Sequence, residues 1–293
     1  MAAQARAKAD RAEADNRRKA NLEVSSRTAA TAKAAGTGAR HGSLRNAGLS
    51  LLSFLSPLLL LVLWEALARA GLIDVRLFSA PSLIFKSLIP LVTSGELLLH
   101  TLVSVQRIII GFLIGSGAGV ILGLSMGLFP PVRAALQPMV AATFPIPKLA
   151  IMPLILLVFG LGETSKVVTI AVGVFYLVLI NTMAGVLNIE PIYLDVAKSF
   201  GASRKDFYLT VALPGALPMI FAGFKLGMGT ALLLIVAAEL SAARAGVGYM
   251  IWRAYDMFDI ERMFVGLLDM SALGYIFAIA LDWIERLAIP WKS

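Results

Sequence analysis

The sequence calls for an all-α, polytopic membrane protein with about six transmembrane helices. Three features point there. Of its 293 residues, 58% are hydrophobic and 15% charged, with a mean hydropathy of +0.82, whereas soluble domains carry about 25% charged residues. Several apolar runs reach the roughly 20 residues that a helix needs to cross the hydrocarbon core. The cationic excess is also concentrated rather than spread over a surface: residues 1–48 hold ten Lys and Arg against four Asp and Glu, which accounts for six of the formal net charge of +8. A basic tail beside a span marks the cytoplasmic side of a membrane, so the charge does not argue for a nucleic-acid partner.

Residues 1–48 are rich in Ala, Arg and Lys and then in small residues, with no apolar stripe, the composition of a solvated, disordered cytoplasmic arm. The first long apolar run starts near Leu49 and exceeds the apolar stretch of about 7–15 residues in a cleaved signal, so a retained arm is expected. A transmembrane domain over 49–287 follows, with spans expected at 49–69, 106–129, 134–158, 166–187, 210–241 and 263–287, and a short tail at 288–293. With the arm inside, segments 130–133 and 188–209 and the tail face the cytoplasm, and 70–105, 159–165 and 242–262 face outward. The outer segments carry cations of their own (Arg76, Lys86, Arg244, Arg253, Arg262), so the orientation rests mainly on the arm.

Three spans or flanks have distinctive chemistry. The second contains Gly111, Gly115, Gly119, Gly123 and Gly127, one every four residues, a face along which another helix can approach closely. The third is interrupted by Phe144, Pro145, Ile146, Pro147 and Lys148. Its prolines remove backbone donors and disfavour helix before them, and such a break must be buried in protein or line an aqueous cavity. Segment 246–259 is too short and polar to span yet carries Tyr249, Trp252, Tyr255 and Phe258. That pattern suits an interfacial or re-entrant helix, or a loop packed on the rim.

Between the fourth and fifth spans lies LDVAKSFGASRKDFYLTVALPGALP. Val196 and Phe200 stand at i and i+4 with Ala197 beside them, and Asp195, Lys198 and Ser199 supply a polar side. Two short helices meeting at Gly201 are expected, with Ser203 capping the second. Asp195-Val196-Ala197, three residues, Gly201, nine residues, Val211, one residue and Leu213-Pro214 resemble the E-A-A…G…I-x-L-P loop of the binding-protein-dependent permeases of ATP-binding cassette (ABC) importers. Asp stands for Glu, and Val for Ala and for Ile. The stretches Thr101 to Gly123, Phe144 to Lys166 and Ala237 to Ile251 look like the nitrate, sulfonate, taurine and bicarbonate group of that family, and the resemblance covers about residues 50–287.

The resemblance implies a type I importer permease fold in a bacterial cytoplasmic (inner) membrane, with the N-terminus cytoplasmic. It implies that residues 194–208 form a coupling helix that docks on the ATPase, with Asp195, Val196, Ala197, Phe200, Gly201, Ala202, Ser203, Val211, Leu213 and Pro214 as the coupling set. Implied partners are a second permease copy, two ABC ATPase subunits and a periplasmic or lipid-anchored solute-binding protein, besides membrane lipid. ATP and Mg would sit on the ATPase, and this chain would bind no cofactor. The solutes of the group are small and mostly anionic, with aromatic acids among its relatives.

Ionisable groups within spans are costly unless paired or wet, and four polar residues are candidates for the translocation path or its gate. Lys225 has two roles open to it: neutralising an anion, or reaching to the interface. Glu239 can form a helix-end pair with Arg244, five residues on, or act at the outer gate. Lys148 can project into the cavity that the proline break implies, or donate to freed carbonyls. Asn181 suits an interhelical hydrogen bond better than a substrate contact, and Glu65 and Arg107, near span ends, read as structural.

The sequence contains no G-x-x-x-x-G-K-[ST] phosphate loop, so the chain is not expected to hydrolyse ATP itself. It has no cysteine, and its two histidines, His41 and His100, lie far apart, a poor basis for a metal site. An ion-coupled secondary transporter is the alternative, but it calls for coupling groups near the midplane and usually an internal repeat, neither of which stands out. An intramembrane enzyme would need a nucleophile with its base or a metal cluster; H-E-x-x-H does not occur, and the one G-x-S-x-G match, Gly123 to Gly127, lies inside an apolar span rather than at a strand-to-helix turn.

Overall fold

Long apolar sequences with backbone polar groups that lipid cannot satisfy are driven into helices. The computed structural model describes residues 55–291, and among these there is no strand. The basic arm at 1–48, the first residues of the first expected span and the last two of the tail lie outside the described residues.

The chain divides into two units. In the first, residues 55–69 form helix α1, with Leu58 to Leu63 exposed as in a lipid-solvated helix, and Arg69 Nε 2.7 Å from Glu65 Oε1. The second unit, from Gly71, contains α2 (Pro81–Thr93), α3 (Glu96–Leu128), α4 (Pro130–Thr143), α5 (Lys148–Phe159) and α6 (Glu163–Leu187). It continues with α7 (Pro191–Ser199), α8 (Arg204–Phe207), a π-helical turn (Tyr208–Ala212), α9 (Leu213–Ala242), α10 (Val247–Asp256) and α11 (Ile260–Ala288). Among the described residues, four helices are long and apolar enough to cross a membrane: Glu96–Leu128, Glu163–Leu187, Tyr208–Ser241 and Ile260–Ala288. The pair α4 and α5, bent by 98°, makes a fifth if it counts as one span.

Helices α3, α6 and α9 form the core of this unit. The glycine face of α3 is the contact with α6: a Cβ at Gly115 would lie 2.4 Å from the Ala171 carbonyl oxygen, and one at Gly127 2.6 Å from Val186 Cβ. Contacts advance together along the two helices, from Gly111 on Ile170 to Gly127 on Val186, so α3 and α6 run parallel. Helix α9 runs antiparallel to α6, with Gly185 against Met219 and Gly227 against Val174. Ile108, Phe112, Ile170, Val174, Val178, Met228 and Ile235 fill the space between the three, while Leu113, Ile121 and Leu233 face outward.

The parallel course of α3 and α6 explains the bent pair. The end of α3 and the start of α6 lie at opposite ends of the bundle, so α4 and α5 together carry the chain back across. The bend falls at the Pro145/Pro147 interruption, as the sequence predicted.

Helix α3 starts at Glu96, ten residues before the expected span. Its first turns carry Glu96, His100, Ser104 and Arg107, and these polar groups find protein partners instead of requiring water. Segment 246–259 contains a true helix, α10, whose Val247, Met250, Ile251 and Ala254 are buried.

Candidate functional site: the coupling loop and the opposite end of the bundle

The loop after α6 is built as the sequence predicted. Helix α7 ends in a left-handed turn at Gly201 (φ +66°), and the Ala202 N–H reaches back 3.0 Å to the Ala197 carbonyl. That six-residue closure, with a left-handed glycine just past the helix, is the Schellman stop. It explains the Ala-to-Gly spacing. Ser203 then starts α8: its Oγ accepts the Asp206 N–H at 3.2 Å, and Asp206 Oδ2 accepts the Ser203 hydroxyl at 2.6 Å and the Ser203 N–H at 3.3 Å. This reciprocal capping box fixes the angle between the two short helices.

Pro214 accounts for the next feature. Lacking an N–H and crowding the carbonyl four residues back, it is accommodated by the π turn, in which the Leu213 N–H donates to the Tyr208 carbonyl five residues earlier. Val211 and Pro214 line a cavity of about 430 Å³ together with Tyr193 of α7 and Trp291, so the second half of the motif shapes the seat of α7. The first half faces away: Val196 is exposed, and Phe200 is 86% exposed. Both apolar side chains stand on a loop of mostly polar neighbours, a candidate docking surface.

At the opposite end, Glu239 of α9 is only 1% exposed and Arg107 of α3 only 4%. Arg107 Nη1 donates to Glu239 Oε1 at 2.7 Å and to the Ala245 carbonyl at 2.6 Å. Its Nε and Nη2 make a two-pronged contact, 2.5 and 2.7 Å, with Glu163 of α6. The Ser104 hydroxyl lies 2.8 and 2.9 Å from the two Glu239 oxygens. The first N–H groups of α10 end on the same cluster: Gly246 on His100 Nδ1, Val247 on Ser104 Oγ and Gly248 on Glu239 Oε2, at 3.0, 2.8 and 2.8 Å. Side chains of α3 and α9 therefore satisfy the orphan donors of α10, and the carboxylate sits at the positive end of its dipole. A Cβ at Gly246 would come within 2.3 Å of the Glu239 carboxyl. The partner of Glu239 is Arg107 and not Arg244, and Arg107 is a buried hub, not a side chain resting at an interface.

The four path candidates occupy four separate settings. Lys148 Nζ donates to the Thr143 and Phe144 carbonyls at 3.1 and 3.0 Å, which the bend frees, and stands 4.1 Å from the centre of the Tyr176 ring. Tyr176 in turn donates to Thr143 Oγ1 at 3.0 Å. Asn181 Nδ2 donates to the Leu177 carbonyl of its own helix at 2.8 Å. Lys225 bridges Asp282 and Glu285 of α11 at 2.5 Å each. Glu239 belongs to the Arg107 cluster. The carboxylate partners of Arg107 and Lys225, from 56 to 132 residues away, were missed at the sequence level. A pointer was present in the pairing of one carboxylate with a nearby G-x-G in ELSAARAGVG.

The long apolar helices and the exposed loop between α6 and α9 define a polytopic helical membrane subunit. Residues 115–289 match the family described as binding-protein-dependent transport system inner membrane component, and the chain belongs to this family, the permease component of ABC importers. It is 31% identical over 239 residues to the putative aliphatic sulfonates transport permease SsuC of Bacillus subtilis, covering 82% of this chain and 87% of that one. Identity to the taurine transport system permease TauC of Escherichia coli is also 31%, over 80% and 87% of the two chains. The nitrate import permease NrtB of Synechococcus elongatus is 32% identical over 68% and 72%. Among solved structures, the inward-facing MetNI methionine ABC transporter superposes with a TM-score of 0.52 at 19% identity, covering 69% of this chain and 98% of the other. That likeness carries the fold.

Proposed function

We propose that this chain imports a small anionic solute of the sulfonate, taurine, nitrate, bicarbonate or aromatic-acid type. A second copy of the chain forms the other half of a pore that opens alternately to the two sides. Two ATPase subunits hold ATP and Mg and dock on residues 194–208, this chain has no ATPase site of its own, and an external binding protein delivers the solute at the opposite end. The N-terminus and the 188–209 loop face the cytoplasm. The observation that carries the reading is the loop geometry: a Schellman stop at Gly201 and a capping box at Ser203 that hold Phe200 out for a partner. The names of the relatives support the solute class.

Within this reading Lys148 is the residue proposed for the path. It is a cation at a bend in a span, beside a tyrosine and a threonine hydroxyl, where irregular backbone is tolerated next to an aqueous cavity. Asn181 has its amide donor satisfied on its own helix, and Lys225 and Glu239 have charged partners within the chain. The test is reconstitution with the cognate ATPase and binding protein in sealed vesicles, measuring uptake of taurine, ethanesulfonate and nitrate. Uptake should require ATP and the binding protein. Uptake driven by a proton or sodium gradient without nucleotide would overturn the proposal in favour of a secondary transporter.

A further inference from the structure

At the end of the bundle opposite the coupling loop, α3, α10 and the start of α11 enclose a recess of about 190 Å³ lined by Arg244, Arg253, Arg262, His100, Glu96 and Tyr249, among others. Two acidic residues also line it, Glu96 and Asp259, and both are engaged by Arg262. Its guanidinium pairs with Glu96 and its N–H donates to Asp259 Oδ1 at 3.0 Å. Arg253 spends one N–H on the Tyr249 hydroxyl at 3.0 Å and makes no further hydrogen bond or ion pair among the described residues. Arg244 is exposed and makes no hydrogen bond or ion pair among the described residues. His100 accepts the Gly246 N–H at Nδ1, which leaves the proton of a neutral ring on Nε2, facing Glu96 Oε1 at 3.8 Å.

We propose that this recess binds a small oxyanion, such as a sulfonate, nitrate or carboxylate, in the fork of Arg244 and Arg253. Three guanidinium groups against two engaged carboxylates leave an excess of one positive charge, and the unspent donors belong mainly to Arg244 and Arg253. Planar guanidinium donors match such ions in two-pronged fashion. The volume suits a molecule of a few heavy atoms. The recess is separate from Lys148 and borders the Arg107 cluster through His100, and it lies where an incoming solute would first meet the permease. The choice of solute rests on the proposed import of anions. A phospholipid phosphate offers the same chemistry, and the test separates the two sources.

The full permease–ATPase complex would be placed in phosphatidylcholine nanodiscs without binding protein and titrated with ethanesulfonate, with binding followed by saturation-transfer NMR. Saturable binding is expected. Arg244→Gln and Arg253→Gln should each weaken it about tenfold, the scale of one charge-assisted contact. Arg76→Gln, which removes an exposed charge at the same end of the unit, should leave it unchanged. Each variant must retain assembly and ATPase activity. Absence of saturation, or equal binding by the Arg244 and Arg253 variants, would overturn the proposal. So would a complex that retains phosphatidylglycerol through these arginines and gives no ethanesulfonate response, because the occupant would then be lipid. ATP-dependent uptake of anions with no binding at this recess would refute the site and leave the import function standing.

Discussion

Replacing Arg107 by Met should be among the most damaging single substitutions in the chain. It removes the only cation among the described residues within bonding distance of the Glu239 carboxylate, which is 1% exposed and keeps the Ser104 hydroxyl and the Gly248 N–H. Breaking a buried pair in this way costs about 3–5 kcal/mol, because an uncompensated charge stays buried. By contrast, the side chain of Glu163 is 66% exposed, so Glu163→Gln should cost no more than about 1 kcal/mol. Glu239→Gln falls between them: a glutamine can still accept from Gly248 and Ser104, and Arg107 retains Glu163. The double variant Arg107→Met/Glu239→Gln removes both charges of the buried pair together, and its loss should be clearly smaller than the sum of the single losses. Equilibrium unfolding of the purified chain in mixed micelles would measure all four. An Arg107→Met chain within about 1 kcal/mol of the parent would refute the claim that this cluster holds α3, α6, α9 and α10 together.

Three further outcomes follow from local geometry. Gly115→Ala places a methyl 2.4 Å from the Ala171 carbonyl oxygen, whereas Gly117→Ala on the same helix meets nothing within 4 Å. The first should lose about 1–3 kcal/mol and the second should be tolerated, as judged by the same unfolding measurement. Ser203→Ala removes the cap of α8 and should cost the loop about 0.5–2 kcal/mol, seen as faster amide exchange over residues 203–207 with unchanged exchange in α6. Lys148→Met should slow anion uptake with assembly intact, whereas Lys225→Met removes the bridge from α9 to Asp282 and Glu285 of α11 and should lower assembly first. Unchanged uptake in the Lys148 variant would remove that residue from the path.

Local and periodic features were legible from the sequence because they depend on neighbours in the chain. The glycine face of α3, the proline break after α4 and the Gly201 turn all stand where residue type alone places them. The proline-induced π turn needed the structure, although Pro214 held its cause. Distant pairings were not legible. Periodicity says which face of a helix carries Arg107 or Lys225 but not which carboxylate meets it, and Arg244, nearest in sequence to Glu239, is not its partner. The same ambiguity moved the start of α3. A polar first turn reads as loop until Glu96, Ser104 and Arg107 are seen to bond with α6, α9, α10 and α11.

Co-purification of the cognate ATPase with the Phe200→Asp chain tests the account most directly. Phe200 is 86% exposed at the tip of the coupling loop and makes no packing claim on the bundle, so a charge there should leave membrane insertion and folding unchanged. If it is an anchor in the ATPase interface, its loss should cost about 2 kcal/mol or more, roughly thirtyfold in docking affinity. Gly201→Pro, which cannot adopt a φ of +66°, should do the same by misdirecting the loop. ATPase retained at parental levels by both variants, with normal uptake, would contradict the assignment of this loop as the point where ATP hydrolysis drives the permease.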